Sequence, residues 1–298
     1  MLEFVMTPLA YPFMVRALVA AVLVGIVTSV VGTFVVLRGM AFFGDALSHA
    51  ILPGLAIGYL FSGGATDALF WWALATAVLT SVGIGVISEN SEIKEDTAIG
   101  IMFAGMFALG IAMISTVRSY AVDLAHILFG NVLGVSESGI WLIAIFGGIV
   151  ILTIIALYKE LVIMAFDPVL GATLRLPTTF LHYLLMVLIA TTIVVSLQTV
   201  GVALMLAMLI TPPATAYLLT RRLPAMMVLA ALIGALSGLM GLYLSFHAGI
   251  ASGAAIVLVS TLLFLLAFLF APQRGWLRHA KLTALRRGAI RFLPIGNR

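Results

Sequence analysis

Nine long apolar segments limit what this chain can fold into. They lie near residues 13–36, 41–61, 68–88, 97–116, 138–158, 178–197, 200–219, 225–245 and 251–271. Each segment provides about the 20 apolar residues that a helix needs to cross a bilayer, and a helix satisfies its own backbone hydrogen bonds within lipid. Hydrophobic residues make up 63% of the sequence and charged residues only 9%. We therefore predict an all-α polytopic membrane protein with nine transmembrane helices, eight being the alternative.

Little sequence remains for a soluble domain. We predict a single transmembrane domain over residues 1–271 and a cytosolic tail over residues 272–298, in which seven residues are basic and none is acidic. In a polytopic protein such a tail is expected to contact anionic lipid headgroups rather than nucleic acid. The sequence contains no cysteine, which excludes disulfides, thiolate metal ligands and cysteine nucleophiles.

The basic residues indicate the orientation of the segments. If Arg38 faces the cytosol, every lysine and arginine except Arg16 and Arg118 falls on the cytosolic side, as the positive-inside rule predicts. A further crossing between residues 118 and 137 would change this parity, whereas an outer-face helix or a re-entrant segment there would not.

Two polar side chains, Asp45 and His49, interrupt the second apolar segment. Residues four apart on a helix share one face, about 6 Å apart along the axis, so these two could bind one ion. An aspartate at bilayer depth costs about 2.5–3.5 kcal/mol and therefore indicates a function. Nitrogen and oxygen ligands suit manganese, zinc and ferrous iron alike. We predict a metal site at this pair; a hydrogen-bonded pair that only joins two helices is the alternative.

Two proline motifs predict interruptions in membrane helices. Pro53 and Gly54 follow His49 by one turn, and Pro212 and Pro213 lie within the seventh segment. Proline lacks an N–H and kinks or breaks a helix. Broken helices beside midplane polar groups are typical of transport paths. We therefore expect these prolines and Gly54 to line a path formed by the second and seventh spans.

Several short motifs, taken in order, resemble those of the manganese/zinc permeases of ATP-binding cassette importers. The resemblance extends over nearly the whole chain up to residue 271. Each motif is short and mostly apolar, but their order and spacing together are specific. The motifs are Val35–Met40 followed by Gly44–Gly54, then Glu95–Gly100, Ile127–Gly130, Ala165–Pro168, Gln198–Val202 and Thr211–Ala216.

This resemblance implies a homodimeric permease with the type II ABC importer permease fold in a prokaryotic plasma membrane. Two separate ATP-binding cassette ATPase subunits would drive it, and an extracytoplasmic metal-binding lipoprotein or a periplasmic binding protein would deliver the metal. The family implies import of a divalent transition metal, with Mn(II) as our prediction and Zn(II) or Fe(II) as the alternatives. Asp45 and His49 of both protomers would then form the metal site, and no permanently bound cofactor is expected.

The chain is not predicted to be an enzyme. It lacks the G-x-x-x-x-G-K-[ST] phosphate loop, so ATP hydrolysis would take place in a partner subunit. Neither H-E-x-x-H nor G-x-S-x-G occurs, which argues against an intramembrane hydrolase. An ion-coupled secondary carrier that uses Asp45 and His49 as a proton relay is the more distant alternative, although no inverted repeat is evident.

The cytosolic stretch between the fifth and sixth segments predicts a short helix within residues 166–177. Asp167 followed by Pro168 is typical of a helix start, and Leu176 followed by Pro177 is typical of a helix end. The resemblance identifies this segment as the coupling helix that docks into the ATPase; an ordinary interfacial connector is the alternative. The residues expected to contact the ATPase are Asp167, Pro168, Val169, Gly171, Leu174 and Leu176.

Other polar groups lie near the predicted ends of the spans. Asp123, His126 and His247 are candidates for a metal access site on the outer face, with a loop cap or a locally bonded histidine as the alternative. His182 and His279 are expected to be cytosolic surface groups. The acidic residues before the fourth segment are expected to form a solvated helix start; they are Glu89, Glu92, Glu95 and Asp96.

Overall fold

The computed structural model describes residues 2–62, 66–115 and 132–271, which are almost entirely α-helical. Asp123, His126 and the tail 272–298, which includes His279, lie outside the described residues. A short 3-10 helix, Val132–Gly134, precedes α7. The helices are α1 (Leu2–Leu9), α2 (Pro12–Leu37), α3 (Ala41–Ala50), α4 (Leu52–Ser62), α5 (Thr66–Asn90), α6 (Glu95–Ser115), α7 (Glu137–Ala156), α8 (Tyr158–Phe166), α9 (Pro168–Thr173), α10 (Thr178–Val200), α11 (Val202–Leu219), α12 (Leu223–Ala248) and α13 (Ser252–Phe270).

Within those three ranges, nine helical stretches are long and apolar enough to cross a membrane. They correspond to the nine predicted segments, so the prediction of an all-α polytopic membrane protein is confirmed. The spans α2, α3 with α4, and α10 are the most buried, whereas α6, α7 and α13 expose most of their surface. The nine stretches are α2, α3 with α4, Ala68–Asn90 of α5, α6, α7, α10, α11, α12 and α13.

Helices α2 and α12 cross at a stripe of small residues. A β-carbon on Gly25 would lie 2.7 Å from the carbonyl of Gly234, and a β-carbon on Gly238 would lie 3.1 Å from the carbonyl oxygen of Ala21. Small residues spaced four apart let two membrane helices approach until their backbones touch. This crossing holds α2 in the centre of the bundle, where it also packs against α10 and α11.

Helix α11 continues through Pro212 and Pro213, so the expected interruption of this span is wrong. Pro212 has no N–H to donate to the carbonyl of Met208, one helical turn earlier. Ser29 of α2 replaces that donor, with its hydroxyl 3.3 Å from the Met208 oxygen. A neighbouring helix often satisfies the carbonyls that proline frees within a membrane. The sequence rule fails here because it considers one helix in isolation.

The second carbonyl freed by this motif belongs to Leu209. It lies against Gly32 of α2, where a β-carbon would overlap the Leu209 oxygen. The side chains of Pro212 and Pro213 are buried in this contact region. The expectation that the two prolines line a path stays a prediction.

Helices α3 and α4 form one span with a break at Ile51. The predicted interruption near Pro53 is thus confirmed, because Pro53 occupies the first turn of α4, where a missing N–H is tolerated. Pro53 and Gly54 are buried. Gly54 lets α4 approach Thr76 of α5, whose side chain a β-carbon at this position would overlap. That Pro53 and Gly54 line a path stays a prediction.

Candidate metal site

A left-handed glycine connects α2 to α3. Gly39 has φ +72°, a conformation that glycine adopts more readily than other residues. The N–H of Gly39 donates to the carbonyl of Val36, and the N–H of Met40 donates to the carbonyl of Val35. This pair of hydrogen bonds is the Schellman arrangement at a helix end. The direction in which α3 starts is therefore set by local backbone hydrogen bonds.

Helix α3 has one buried face and one open face. Its buried face packs on α11, where the absence of a side chain at Gly44 leaves room for Leu206 and Leu209. The open face carries Asp45 and His49, one helical turn apart and each partly exposed. The prediction that these two residues share one helix face is therefore confirmed.

The Asp45 carboxylate and the His49 imidazole lie side by side on this open face. Asp45 Oδ1 is 3.7 Å from His49 Nε2, and the side chains are 45% and 31% exposed. This separation is too long for a hydrogen bond. Two ligands of a tetrahedral ion, each about 2.1 Å from it, are about 3.4 Å apart. The pair is therefore close to the spacing at which both groups could bind one metal ion.

Two phenylalanines of α6 cover one side of His49. The His49 ring lies 6.1 Å from the Phe103 ring and 5.8 Å from the Phe107 ring, measured between centroids. The two phenylalanine rings are stacked on each other at 5.6 Å. His49 Nδ1 is buried and has no hydrogen-bond partner among the described residues. The aromatic contacts restrict the rotation of the imidazole ring. Nε2 is the ring nitrogen that faces the Asp45 carboxylate.

The described residues of one chain contribute one carboxylate and one imidazole to this site. In the part of the chain that the structure describes, no three histidine, aspartate or glutamate side chains come together as a metal cluster. Structural transition-metal sites such as those of zinc usually have four ligands. Among the described residues, Asp45 and His49 have no third ligand, so water or groups from another chain would complete the shell of a bound ion.

His247, the described candidate for metal access, lies one residue before the end of α12 and is exposed. Its ring packs against Phe246 with centroids 5.3 Å apart, and Phe246 contacts Tyr11 just before α2. The predicted orientation assigns these helix ends to the outer face. Because Asp123 and His126 lie outside the described residues, a shared access site stays a prediction.

Helix α9 is the short helix expected on the cytosolic side. Asp167 Oδ1 accepts a hydrogen bond from the N–H of Leu170 at 2.9 Å, so the predicted capped start is confirmed. The helix ends earlier than expected, because Arg175 adopts φ +56°. The N–H of Leu176 then donates to the carbonyl of Gly171, which closes the helix. This end could not be predicted from the sequence because arginine rarely takes a left-handed conformation.

Helix α9 and Leu174, the residue that follows it, expose large apolar side chains. Val169 is 74% exposed and Leu174 is 55% exposed. Gly171, in contrast, is buried, and a β-carbon there would lie 3.0 Å from Thr178 Cγ2. Gly171 is thus corrected from a surface contact to a packing residue that lets α9 approach α10. Leu176 is half-buried.

The sequence analysis missed a polar cluster formed by Arg38, Glu95 and His182. Arg38 Nη2 lies 3.0 Å from His182 Nδ1 and 3.7 Å from Glu95 Oε2. The side chains of His182 and Glu95 are only 11% and 26% exposed. The expectations of a surface histidine and a solvated glutamate are therefore wrong. The signal was the placement of all three residues at predicted cytosolic ends of spans, but pairing these ends requires the fold.

Two known membrane transport proteins are similar to this chain over most of its length. The chain is 50% identical over 267 residues to the manganese transport system membrane protein MntC of Halalkalibacterium halodurans, and the match covers 90% of each chain. It is 39% identical over 263 residues to the chelated iron transport system membrane protein YfeD of Yersinia pestis, with 88% of this chain and 87% of that protein covered.

A solved structure has the same fold. PsaBC from Streptococcus pneumoniae, in complex with Fab, matches with a TM-score of 0.80 and 40% identity over 93% of this chain and 99% of that chain. The predicted resemblance, the permease fold and a multi-pass location in the plasma membrane are thereby confirmed. A family model described as the ABC 3 transport family matches residues 10–271, and the chain belongs to this family.

Proposed function

We propose that this chain is the membrane-spanning permease subunit of an ATP-driven importer of divalent transition metal ions, with Mn(II) as its substrate. The observation that carries this proposal is the pair of Asp45 and His49, whose oxygen and nitrogen lie 3.7 Å apart on the open face of α3. Carboxylate oxygens suit Mn(II), and imidazole binds divalent transition metals. The name of the MntC relative, at 50% identity, supports manganese.

The depth of the pair in the membrane fits a transport path. With the start of α3 at the cytosolic boundary, the helical rise from Ala41 places Asp45 about 6 Å and His49 about 12 Å into the membrane. The hydrocarbon core is about 30 Å thick, so the metal would bind well inside the membrane, between its cytosolic boundary and its middle. A site at this depth can be closed off from either face in turn, as alternating access requires.

In our proposal the pair acts within a homodimer. A two-fold axis along the path brings together two Asp45 carboxylates and two His49 imidazoles, enough for a four-coordinate ion or for a larger shell completed by water. The carboxylates offset the positive charge of the ion as it loses water. The second copy would cover the open face of α3.

Energy and metal delivery come from other subunits in this proposal. Two ATP-binding cassette ATPases bind the cytosolic face through α9, where the exposed Val169 and Leu174, the residue just after the helix, form an apolar docking surface. An extracytoplasmic lipoprotein or a periplasmic binding protein delivers the metal to the opposite face, near His247. Residues 1–271 form the single transmembrane domain, and the basic tail 272–298 contacts anionic lipid.

Metal uptake by the whole complex tests the proposal. The permease, its ATPase and its binding protein are reconstituted into liposomes, and ATP-dependent uptake of radioactive manganese is measured. Asp45→Asn and His49→Gln should each lower uptake at least about tenfold, because each removes a metal ligand. Asp96→Asn is the control, since this carboxylate is exposed at the start of α6 and should leave uptake unchanged.

Two results would contradict the proposal. Normal uptake by both site variants would exclude the Asp45–His49 pair as the metal site. Uptake that continues without the ATPase and stops when an uncoupler is added would favour a secondary carrier.

Fe(II) is the second candidate substrate, because YfeD, at 39% identity, is named as a chelated iron transport protein. Zn(II), the other alternative from the sequence, has no support from the two relatives above. Competition separates these metals: excess unlabelled Mn(II) should suppress labelled uptake more strongly than equal Fe(II) or Zn(II). Stronger suppression by Fe(II) would reassign the substrate.

A further inference from the structure

Arg38 lies where it can control the placement of α3. It is the first residue after α2 and stands three residues before α3 begins. Its guanidinium reaches Glu95, the first residue of α6, at 3.7 Å, and His182 in the first turns of α10 at 3.0 Å. Helices α6 and α10 are also neighbours against which α3 packs. Arg38 therefore joins the start of α3 to two of its supporting helices.

Arg38 is the centre of this cluster. Arginine only donates hydrogen bonds, so His182 Nδ1 must accept, and the ring proton lies on Nε2. His182 Nε2 is 3.9 Å from Glu95 Oε1, which is too long for a hydrogen bond. The histidine and the carboxylate are thus held by the arginine rather than by each other.

The three side chains are all largely buried, but their removal would have different consequences. The side chains of Arg38, Glu95 and His182 are 16%, 26% and 11% exposed. Removal of Arg38 leaves a largely buried carboxylate without its cation, which is strongly destabilising. Removal of His182 leaves the pair of Arg38 and Glu95 in place. The arginine should therefore contribute most to the position of α3.

Helices α3 and α6 meet a second time at the metal site, where His49 contacts Phe103 and Phe107. Helix α6 rises about 12 Å from Glu95 to Phe103, and α3 rises about 12 Å from Ala41 to His49. The start of α3 beside Glu95 and the contact of His49 with Phe103 are therefore separated by the same rise along both helices. The contact of Arg38 with Glu95 at the cytosolic end fixes the register in which His49 meets the two aromatic rings.

We propose that Arg38 is a positioning residue for metal binding: through Glu95 and His182 it holds α3 in the register that aligns Asp45 and His49. This inference rests on the proposed function. Arg38 does not touch the metal. It acts through the helix that carries the two ligands.

Direct Mn(II) binding tests this role, measured by electron paramagnetic resonance on the purified complex of permease and ATPase in nanodiscs. Arg38→Ala should weaken Mn(II) binding about tenfold, the lower end of the loss seen when a group that orients metal ligands is removed. Lys94→Ala is the control, because this neighbouring basic residue is exposed and should leave the affinity unchanged.

A conservative variant separates positioning from simple packing. In His182→Asn the amide oxygen can accept the Arg38 hydrogen bond as Nδ1 does, so Mn(II) affinity should stay close to that of the wild type. His182→Ala lacks the acceptor and should bind more weakly than His182→Asn. Equal affinities of these two variants would overturn the role assigned to the hydrogen bond.

The remaining outcomes are also decisive. An assembled Arg38→Ala complex with wild-type Mn(II) affinity would overturn the inference, even if its thermal stability were lower. If Arg38→Ala does not assemble, Glu95→Gln replaces it, because it keeps the side-chain shape and removes the charge; wild-type affinity there would equally overturn the inference. Failure of the proposed function is distinguishable, since Mn(II) binding would then be independent of Asp45.

Discussion

Replacement of Gly32 by alanine would disturb the contact between α2 and α11, the helix against which α3 packs. A β-carbon at this position would overlap the carbonyl oxygen of Leu209 and lie 2.9 Å from Pro213 Cγ. A backbone oxygen and a proline ring cannot rotate away, so α2 and α11 must separate. The side chain of Leu209 also contacts Gly44 of α3. The displacement would therefore reach the helix that carries the proposed metal ligands.

The size of the effect follows from three contributions. Overpacking in a close-packed interior costs about 1–3 kcal/mol. Separation also breaks the hydrogen bond from Ser29 to the Met208 carbonyl, 3.3 Å long in the native structure, which contributes about 0.5–1.5 kcal/mol. The higher helix propensity of alanine offsets about 1 kcal/mol of this loss. We expect the free energy of unfolding to fall by about 2 kcal/mol.

Thermal unfolding of the purified permease in one detergent measures this change. Gly148→Ala is the matched control, because this glycine lies within α7 and no atom would lie within 4 Å of its β-carbon. That variant should be as stable as the wild type or gain up to about 1 kcal/mol from helix propensity. The same substitution thus has opposite expected effects at the two sites. A Gly32→Ala protein at least as stable as the wild type would refute the reasoning.

Two further predictions concern single contacts. Ser29→Ala removes the donor to the Met208 carbonyl and should lower the free energy of unfolding by about 1 kcal/mol in the same assay; an unchanged value would contradict the role of this bond. Joint replacement of Val169 and Leu174 by aspartate should abolish co-purification of the ATPase, because two charges would face an apolar interface. Ser91→Asp, on an exposed loop, is the charge control, and retained ATPase in the double variant would argue against docking through α9.

The sequence predicted the spans and the shared helix face of Asp45 and His49 because both depend on local patterns. The length of an apolar run alone indicates a membrane helix. The four-residue spacing of Asp45 and His49 alone places them on one helix face. Asp167 likewise caps α9 as predicted, since a capping side chain bonds to the backbone three residues later. None of these features needs knowledge of another part of the chain.

The features that the sequence did not reveal depend on contacts between distant segments. Helix α11 continues through Pro212 because Ser29 of α2 supplies the missing donor. His182 is buried because α10 lies beside Arg38. A rule applied to one segment cannot anticipate a partner that lies on another helix. Conversely, each of these long-range contacts joins elements that support α3.

The short length of α3 explains why the position of Asp45 and His49 depends on the elements packed around this helix. Helices of about 12 residues or fewer are marginal in isolation, and α3 spans only Ala41–Ala50 before the break at Ile51. Its position must therefore come from its surroundings: the left-handed turn at Gly39 sets its starting direction, and α11 fills the space beside Gly44. In our proposal, Arg38 fixes its cytosolic end. A helix held on these sides and open on the face of Asp45 and His49 can present both side chains in a constant geometry, as the proposed binding and release of a metal ion require.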